Sequence, residues 1–180
     1  MCGIVGAIAE RNVIPILMEG LRRLEYRGYD SAGIAVRLDD ARLQRVRSVG
    51  KVAELQQLLD AVDLEGVLGI AHTRWATHGM PAERNAHPHM SGEQVAIVHN
   101  GIIENHAELR ADLEARGYTF QSDTDTEVIA HLLADLLNQG QDIATATRNA
   151  IERLVGAYAL AVIDPQDPDR LIVTRVGSPL

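Results

Sequence analysis

Cys2 has the clearest chemical potential in this 180-residue chain, because it is the single cysteine and stands directly after Met1. Aminopeptidases generally remove an initiator methionine that precedes a small residue, so Cys2 would carry a free α-amino group beside its thiol. The thiol and the amine have reference pKa values of about 8.5 and about 8, both near working pH. An N-terminal amine can activate a terminal nucleophile. The sequence therefore predicts an N-terminal nucleophile, and the alternative is a small apolar residue that begins a buried strand.

Histidine is the other residue type that could do chemistry. His87 and His89 flank a proline, and His78 and His99 lie nearby in the sequence. Histidine pairs can bind zinc, but neither a carboxylate-bearing signature nor a cysteine accompanies these residues. A single cysteine also excludes an internal disulfide and a cysteine-based zinc site. We therefore predict no metal here.

Charge and composition narrow the class of protein. The formal net charge is −8, 46% of the residues are hydrophobic and 23% are charged, which is the mixture of an ordinary globular domain. Nothing forms a basic stripe, which argues against a general nucleic-acid or anionic-membrane binder. No apolar run approaches the length of a membrane span, and the start lacks the basic leader of a secretory signal. A cytoplasmic protein is the default prediction.

The elements that must position these residues follow from hydrophobic periodicity. Asn12 is expected to cap the first helix, and Thr124 with Glu127 fits a capping box that opens a later one. Residues 74–94 have no period and predict a long loop of the kind that often carries function. The predicted strands are 2–9, 34–38, 43–49, 67–73, 95–99, 158–163 and 171–175, with a turn at 28–33. The predicted helices are 13–26, 52–59, 105–116, one through 128–136, and 143–154.

Strands and helices alternate without a regular βαβ rhythm, and short connections join neighbouring strands. This pattern favours antiparallel sheets with helices packed on them, which is an α+β fold. The length is typical of one domain, covering residues 1–180. Residues 177–180 have the composition of a turn inside a larger structure, so we expect the domain to continue beyond this C-terminus.

Five short motifs occur in order along the chain. Together they resemble the class II glutamine amidotransferases of the N-terminal nucleophile hydrolase group, and two of them favour the branch that forms glucosamine 6-phosphate. The resemblance covers essentially the whole chain and implies a four-layer αββα sandwich of two mainly antiparallel sheets, truncated here at the C-terminus. The motifs are MCGIVG at 1–6, YRGYDSAG at 26–33, HTRWATHG at 72–79, HNGIIEN at 99–105 and SDTDTE at 122–127.

The resemblance implies that the Cys2 thiolate attacks the side-chain amide of L-glutamine. A tetrahedral oxyanion and then a γ-glutamyl thioester form, ammonia is released, and water attack gives glutamate. The α-amino group of Cys2 would shuttle protons through a water, because direct transfer within one residue is geometrically poor. In this branch a sugar-phosphate isomerase domain uses the ammonia to convert fructose 6-phosphate into glucosamine 6-phosphate. That domain would follow this chain, so only the glutaminase half-reaction is expected here.

The family assigns the oxyanion donors to the side-chain amide of Asn100 and the backbone N–H of Gly101, and such donors lower the barrier substantially. The alternative is a hairpin turn, for which Asn-Gly is a strong signal. Residues 102–104 are too few for a return strand before the helix near Asn105, which favours the oxyanion role. Glycine at position 101 would also let the backbone approach the substrate closely.

The same resemblance implies residues that bind the zwitterionic substrate. Arg74 would bind the α-carboxylate with two hydrogen bonds, with Thr77 and His78 nearby on its loop. Asp125 would accept from the α-ammonium group. The alternatives are a solvated surface charge for Arg74 and, for Asp125, an acid in the first turn of a helix that the helix dipole favours.

Two further residues receive supporting roles from the resemblance. Trp75 would cap the glutamine pocket and gate the passage of ammonia, on a loop that closes over substrate. The alternative for Trp75 is a loop residue anchored in the core. Arg27 would order the region around Cys2, with a purely structural role as its alternative. The family needs no metal or cofactor for glutamine hydrolysis, and the full-length protein is expected to be a homodimer.

Two other functions remain open from the sequence. One is the glutaminase domain of another class II amidotransferase, which would feed ammonia to a different acceptor. The other is a non-catalytic regulatory module with this fold. Loss of the nucleophile or of an oxyanion residue would favour the regulatory module, but Cys2, Asn100 and Gly101 are all present.

Overall fold

The structure is a computed structural model that describes residues 2–75 and 80–178. These residues form eight strands and five helices, with short 3₁₀ turns at Glu25–Arg27 and Glu83–Asn85. The strands are β1 (Gly3–Ile8), β2 (Ser31–Arg37), β3 (Leu43–Val49), β4 (Leu68–Arg74), β5 (His89–Ser91), β6 (Val95–Ile103), β7 (Gly156–Ile163) and β8 (Ile172–Val176). The helices are α1 (Ile14–Leu24), α2 (Val52–Asp60), α3 (His106–Ala115), α4 (Glu127–Asn138) and α5 (Ile143–Ile151).

Within the described residues the strands pair into two sheets. Sheet A has the order β1-β4-β2-β3, and sheet B has the order β5-β6-β7-β8. Neighbouring strands in both sheets are antiparallel. The prediction of antiparallel sheets rather than βαβ units is therefore confirmed.

Side-chain alternation gives each sheet two faces to bury. Helices α1 and α2 cover the outer face of sheet A through residues such as Leu17 and Leu55. Helices α3, α4 and α5 cover the outer face of sheet B through residues such as Leu113 and Leu132. The inner faces meet in an inter-sheet layer made of Ala35, Leu43, Leu68 and Ile70 from sheet A and Ala96, Val98, Ala161 and Ile163 from sheet B. The order helix, sheet, sheet, helix confirms the expected α+β fold.

Helix α4 shows how the apolar pattern fixes a helix against its sheet. The predicted inward residues are all buried, and each such side chain contributes about 1.5–3 kcal/mol relative to exposure. They are Val128, Ile129, Leu132, Leu133 and Leu136.

In residues 2–75 and 80–178 no helix combines the length and the apolar character that crossing a membrane demands.

Of the two predicted helix caps, the one at α1 is confirmed and the one at α4 is wrong. Asn12 accepts from the N–H of Ile14 at 3.1 Å, as expected at the start of α1. The capping box at α4 is wrong, because the Glu127 carboxylate accepts instead from the N–H of Gln121 at 2.9 Å and of Ser122 at 2.7 Å. The Thr124 N–H, which a capping box would pair with Glu127, donates to the Ser122 hydroxyl at 3.4 Å instead. Glu127 thereby folds the segment before α4 against the start of the helix.

Some predicted strand boundaries were wrong. β2 begins at Ser31, not at residue 34, because its first residues pair with the end of β4. β6 continues past residue 99 to Ile103 along β7. The segment predicted as one long loop begins with the last residue of β4 and includes β5. The start of β2, the end of β6 and the whole of β5 are short or rich in glycine and polar residues. Their conformation therefore depends on pairing with a neighbouring strand and not on hydrophobic periodicity.

Candidate active site

Segments that are far apart in the sequence meet at one end of the inter-sheet layer. Cys2 immediately precedes β1, Arg74 ends β4, Asn100 and Gly101 lie in β6, and Asp125 lies just before α4. The register of β1 on β4 brings the start of β1 beside the end of β4. The resulting cleft is lined by Cys2, Arg74, Trp75, His87, His99, Gly101, Thr124, Asp125 and Thr126.

The backbone of Trp75 holds the thiol of Cys2. The Trp75 N–H donates to the Cys2 sulfur at 3.1 Å, and the sulfur lies 3.6 Å from the Trp75 carbonyl oxygen. Burial raises the pKa of the Cys2 thiol, while the hydrogen bond with the Trp75 backbone and the charge of Arg74 act against that rise. A donor aimed at the sulfur and a nearby cation both favour the thiolate, which is the nucleophilic form of cysteine.

Arg74 brings a buried positive charge to the cleft, since only 5% of the residue is exposed. Burial lowers the pKa of its guanidinium, and the negative charges of Cys2, Asp30 and Asp125 oppose that change. A guanidinium stays protonated at any working pH. The structure therefore excludes the alternative that Arg74 is a solvated surface charge.

Asn100 connects the two sheets beside Cys2. Its Nδ2 donates to the backbone carbonyl of Cys2 at 3.1 Å, and its Oδ1 lies 2.9 Å from Nε2 of His72. Asn100 pairs with Ala159 in the middle of the β6–β7 ladder. The hairpin-turn alternative for the Asn-Gly pair is therefore excluded, because the strand runs straight through it.

Gly101 occupies a position that only glycine can fill. Its φ is +127°, in a region that L-residues with a side chain rarely adopt. A Cβ built there would collide with the carbonyl oxygen of Ala157 on the neighbouring strand. The missing side chain thus allows β6 and β7 to pair closely at the edge of the cleft.

Asp125 is buried and oriented by backbone and hydroxyl donors. One carboxylate oxygen accepts from the N–H of Ile103 at 2.8 Å, and the other lies 3.4 Å from the Thr126 hydroxyl. α4 begins two residues later, at Glu127. Asp125 is therefore not the first-turn acid of the alternative interpretation, and its carboxylate faces the cleft.

Trp75 and Arg27 lie at the edge of this region. Trp75 is 43% exposed, and its ring meets the ring of Tyr29 edge-on at 5.3 Å, so it is not anchored in the core. Arg27 donates to the hydroxyl of Tyr26 at 2.9 Å and is not among the residues that line the cleft. Its ordering role remains a prediction.

Three residues of the sequence prediction lie outside the described residues. These are Thr77 and His78 of the third motif, together with Met1. Their roles in substrate binding, and the removal of Met1, stay predictions.

Four buried histidines pack together at the cleft, where His87 and His99 belong to the lining and His72 and His89 pack against His87. His72 stacks on His87 with ring centroids 4.2 Å apart, and His87 meets His89 edge-on at 4.8 Å. Burial lowers the pKa of His72 and His89 to about 3 and that of His99 to about 4. Burial also lowers the pKa of His87 well below its usual range. These rings are therefore neutral near pH 7.

The histidines do not assemble a metal site in the described part of the chain, where no group of three or more His, Cys, Asp or Glu is arranged to hold an ion. Two threonines connect them to the cleft instead. His89 Nε2 lies 3.2 Å from the Thr124 hydroxyl, and His99 Nδ1 lies 2.8 Å from the Thr126 hydroxyl. The histidines thus serve as hydrogen-bonding groups in this structure.

No site role was predicted for three residues that the structure places at or near the cleft: His72, Thr124 and Thr126. His72 was detectable, because the two-residue period of a strand puts it on the same face as Arg74. The threonines were not, because the capping box gave Thr124 a different role and nothing in the local pattern distinguishes Thr126.

Known proteins are similar to this chain over its whole length. A family model described as "Glutamine amidotransferase domain" matches residues 72–177. The glutamine–fructose-6-phosphate aminotransferase (isomerizing) of Pseudomonas syringae pv. tomato is 62% identical over 180 residues, covering 100% of this chain and 30% of that protein. The protein of the same name from Pseudomonas aeruginosa has the same identity and coverage. The chain therefore spans about 30% of the length of these curated relatives.

Solved structures share the fold. The glutamine phosphoribosylpyrophosphate amidotransferase of B. subtilis, complexed with ADP and GMP, has a TM-score of 0.80 at 29% identity and covers 97% of this chain and 37% of its own. A glutamine aminotransferase class-II domain protein from Silicibacter pomeroyi has a TM-score of 0.64 at 19% identity, covering 99% of this chain and 78% of its own. At that identity the second likeness shows the fold alone.

Replacing Gly101 with alanine is expected to destabilise the fold. The added methyl group meets the Ala157 carbonyl, and a backbone conformation with positive φ adds about 1–3 kcal/mol of strain. We expect Gly101→Ala to lower the free energy of unfolding in urea by at least about 2 kcal/mol. Gly92→Ala is the matched control, because it also has a positive φ but no atom lies near its added Cβ. Equal losses in the two variants would show that the contact with β7 is unimportant.

The buried histidines are expected to make the fold sensitive to mild acid. Their pKa values are about 3 to 4 when folded and about 6.5 when unfolded, so the unfolded state binds more protons below pH ~6.5. Stability is therefore fully present above that pH and falls as the pH drops towards the folded values. Each such histidine should remove about 2 kcal/mol from the free energy of unfolding between pH ~7 and pH ~5.

The measurement is urea unfolding at those two pH values for the parent chain and for His89→Gln. The variant should show a smaller pH difference by about 2 kcal/mol. His106→Gln, at the half-buried start of α3, is the control for loss of an imidazole outside the buried cluster, and an equal change in both variants would show that burial in this cluster is unimportant. The Glu127 carboxylate does not contribute in this window, because the hydrogen bonds it accepts outweigh the effect of burial and lower its pKa to about 2. An unchanged pH difference in His89→Gln would refute the prediction that the lowered pKa of His89 makes the fold sensitive to acid.

Proposed function

The chain belongs to the class II glutamine amidotransferase domain family, and we propose that it hydrolyses L-glutamine to glutamate and ammonia with Cys2 as the nucleophile. The observation that carries the proposal is the meeting of Cys2, Arg74, Gly101 and Asp125 in one cleft. They come from segments separated by tens of residues, so the fold rather than sequence proximity assembles them. A thiol, a buried cation and a buried carboxylate are together the groups that hydrolysis of a zwitterionic amide requires.

In the proposed mechanism, removal of Met1 leaves Cys2 with a free α-amino group that accepts the thiol proton through a water. The thiolate forms a bond to the side-chain carbonyl carbon of glutamine, and the C=O electron pair moves to oxygen. Collapse of this oxyanion breaks the C–N bond, and the proton held by the α-amino group leaves with the ammonia. Water then attacks the γ-glutamyl thioester, which releases glutamate and restores the thiol.

We propose the Asn100 carboxamide and the Gly101 N–H as donors to the oxyanion. Asn100 Nδ2 is already within 3.1 Å of the Cys2 carbonyl, which supports a position beside the reacting carbon. Among the described residues, only Cys2 accepts from this amide, so its second N–H is left for the oxyanion. Donors of this kind act where negative charge develops, and removing one typically slows turnover about 10²–10³-fold.

The two charged ends of glutamine would be bound by opposite charges. Arg74 would pair with the α-carboxylate, with Thr77 and His78 contributing from the same loop. Asp125 would accept from the α-ammonium group, and the Ile103 N–H fixes one of its oxygens. Trp75 would cap the bound substrate, and Arg27 would order the entrance. The exposure of Trp75 and the hydrogen bond from its backbone N–H to the Cys2 sulfur support the capping role.

We also propose an acceptor for the ammonia and an assembly for the whole protein. We propose that residues 1–180 are the amidotransferase domain of a longer protein whose sugar-phosphate isomerase domain makes glucosamine 6-phosphate from fructose 6-phosphate. The 62% identity to glutamine–fructose-6-phosphate aminotransferases supports this choice. The phosphoribosylpyrophosphate amidotransferase is less similar, at 29% identity. The acceptor that this enzyme uses is therefore the second candidate for the ammonia acceptor. We propose that the whole protein is a cytoplasmic homodimer.

The role of Cys2 is tested by reacting the chain with a glutamine analogue that carries a diazoketone electrophile. We expect the intact mass to show loss of Met1 and a single adduct in the parent chain, and no adduct in Cys2→Ala. Glutamate formation should fall at least about a thousandfold in the same variant. Alanine is as small as cysteine for the aminopeptidase, so Met1 is removed in both proteins. Turnover that survives in Cys2→Ala would refute the nucleophile, and Met1 retained in an active chain would refute the amine base.

Replacing Asp125 with asparagine tests ammonium recognition. The asparagine oxygen can still accept from Ile103, so the fold is retained while the negative charge is lost. A charged hydrogen bond is worth about 1.5–3 kcal/mol, and we therefore expect the KM for glutamine to rise about 10- to 100-fold. Asp123→Asn is the matched control, because Asp123 is a surface residue paired with Arg84. An equal effect at both positions would show that general electrostatics, rather than a contact with substrate, sets the KM.

A further inference from the structure

His72 lies between the two sheets, next to Asn100 and away from the lining of the cleft. Only 1% of the residue is exposed. Its Nε2 lies 3.1 Å from the backbone carbonyl oxygen of His99 and 2.9 Å from Oδ1 of Asn100. The mechanism above gives this imidazole no part, although it contacts a residue that carries the proposed oxyanion donor.

The surroundings of His72 determine which ring nitrogen carries hydrogen. The carbonyl oxygen of His99 can only accept, so Nε2 must be the donor whichever way the Asn100 amide is turned. Burial lowers the pKa of His72 to about 3, so the ring carries a single proton near pH 7. That proton is therefore on Nε2, and Nδ1 has a lone pair with no partner among the described residues.

The tautomer of His72 in turn determines the orientation of the Asn100 amide. The single N–H on Nε2 lies between the His99 carbonyl oxygen and the Asn100 side chain, so the Asn100 atom that faces it must be the acceptor Oδ1 and not an N–H donor. Nδ2 then points to the other side, where the Cys2 carbonyl accepts from it. A flipped amide would place two donors against each other at His72 and two acceptors against each other at Cys2. Both errors would leave buried polar groups unpaired, at about 1–3 kcal/mol each.

A gap in sheet B makes room for this arrangement. β5 pairs with β6 only as far as His89 opposite Ile97. Two residues further along β6, the N–H of His99 donates to Nδ1 of His87 at 3.2 Å and its carbonyl accepts from His72. Two stacked imidazoles thus satisfy the backbone groups that a longer β5 would have paired, and the stacking fixes the ring plane of His72.

We propose that His72 is a positioning residue for glutamine hydrolysis, which acts by holding the Asn100 carboxamide with its N–H groups towards Cys2. The inference rests on the proposed function of the cleft. His72 itself touches neither the substrate nor the thiol. Its effect should therefore appear in the rate of the chemical step rather than in substrate binding.

The test compares kcat and KM for glutamine hydrolysis in His72→Phe and His72→Gln. Phenylalanine keeps a ring to stack on His87 but removes the donor, whereas glutamine keeps an N–H at a similar reach. We expect His72→Phe to lower kcat about 10- to 100-fold, less than direct loss of an oxyanion donor, with the KM changed less than about threefold. His72→Gln should recover most of that loss. His131→Phe, a buried histidine that contacts Ser91 on the far side of sheet B, should leave kcat unchanged.

A double-mutant cycle with Asn100→Ala separates positioning from packing. If His72 acts through Asn100, adding His72→Phe to Asn100→Ala should lower kcat by less than about twofold further. Losses that multiply, or a kcat in His72→Phe equal to that of the parent, would overturn the inference while leaving the proposed function intact. A parent chain with no turnover would overturn the proposed function and this inference together.

A measurement on the parent chain keeps the inference testable if His72→Phe fails to fold. The ¹⁵N chemical shifts of the His72 ring near pH 7 distinguish a protonated from an unprotonated nitrogen. We expect Nε2 to be protonated and Nδ1 to be unprotonated. The opposite tautomer would overturn the inference, because its Nε2 could not hold the Asn100 oxygen.

Discussion

β4 of sheet A and β6 of sheet B face each other across the inter-sheet layer, and the two-residue period of each strand decides which side chains meet there. Ile70 and Val98 meet in the apolar part of that layer. Two residues further along the same faces, His72 and Asn100 meet instead. The apolar packing that holds the sheets together therefore also sets the spacing of the polar groups at the end of the layer. The cleft is a continuation of the core with different side chains.

The sequence was sufficient for the features that depend on periodicity. The helices, most strands and the antiparallel arrangement were predicted, because apolar residues recur with the period of each element. Features that depend on pairing were missed. β5 has three residues and no apolar run, and β6 passes through an Asn-Gly pair that is usual in turns. The capping box was wrong because the Glu127 carboxylate accepts from the N–H groups of Gln121 and Ser122.

The candidate site was predicted through the motifs rather than through physical reasoning from single residues. Arg74 and Asp125 each had an ordinary alternative, and only the assembled fold excludes these by burying both beside Cys2. The period of β4 places His72 on the face of Arg74, but the contact of His72 with Asn100 and that of Thr126 with His99 exist only in the assembled fold. The neutral state of the histidines is a further property of the fold. Burial makes them uncharged hydrogen-bonding groups, so the charges that act on the thiol come from other residues, such as Arg74 and Asp30.

Asn100 belongs to sheet B, yet its side-chain hydrogen bonds go to Cys2 and His72, which both belong to the side of sheet A. Sliding of one sheet over the other would stretch these bonds and shift the amide relative to the sulfur. In the proposed reaction, the position of the Asn100 donor relative to the sulfur therefore depends on the registry of the two sheets. A larger side chain in place of Ala96 or Ala161 would separate the sheets at their apolar end and change the reacting geometry without touching the cleft. Remote residues of the inter-sheet layer thus contribute to the alignment of Asn100 with Cys2.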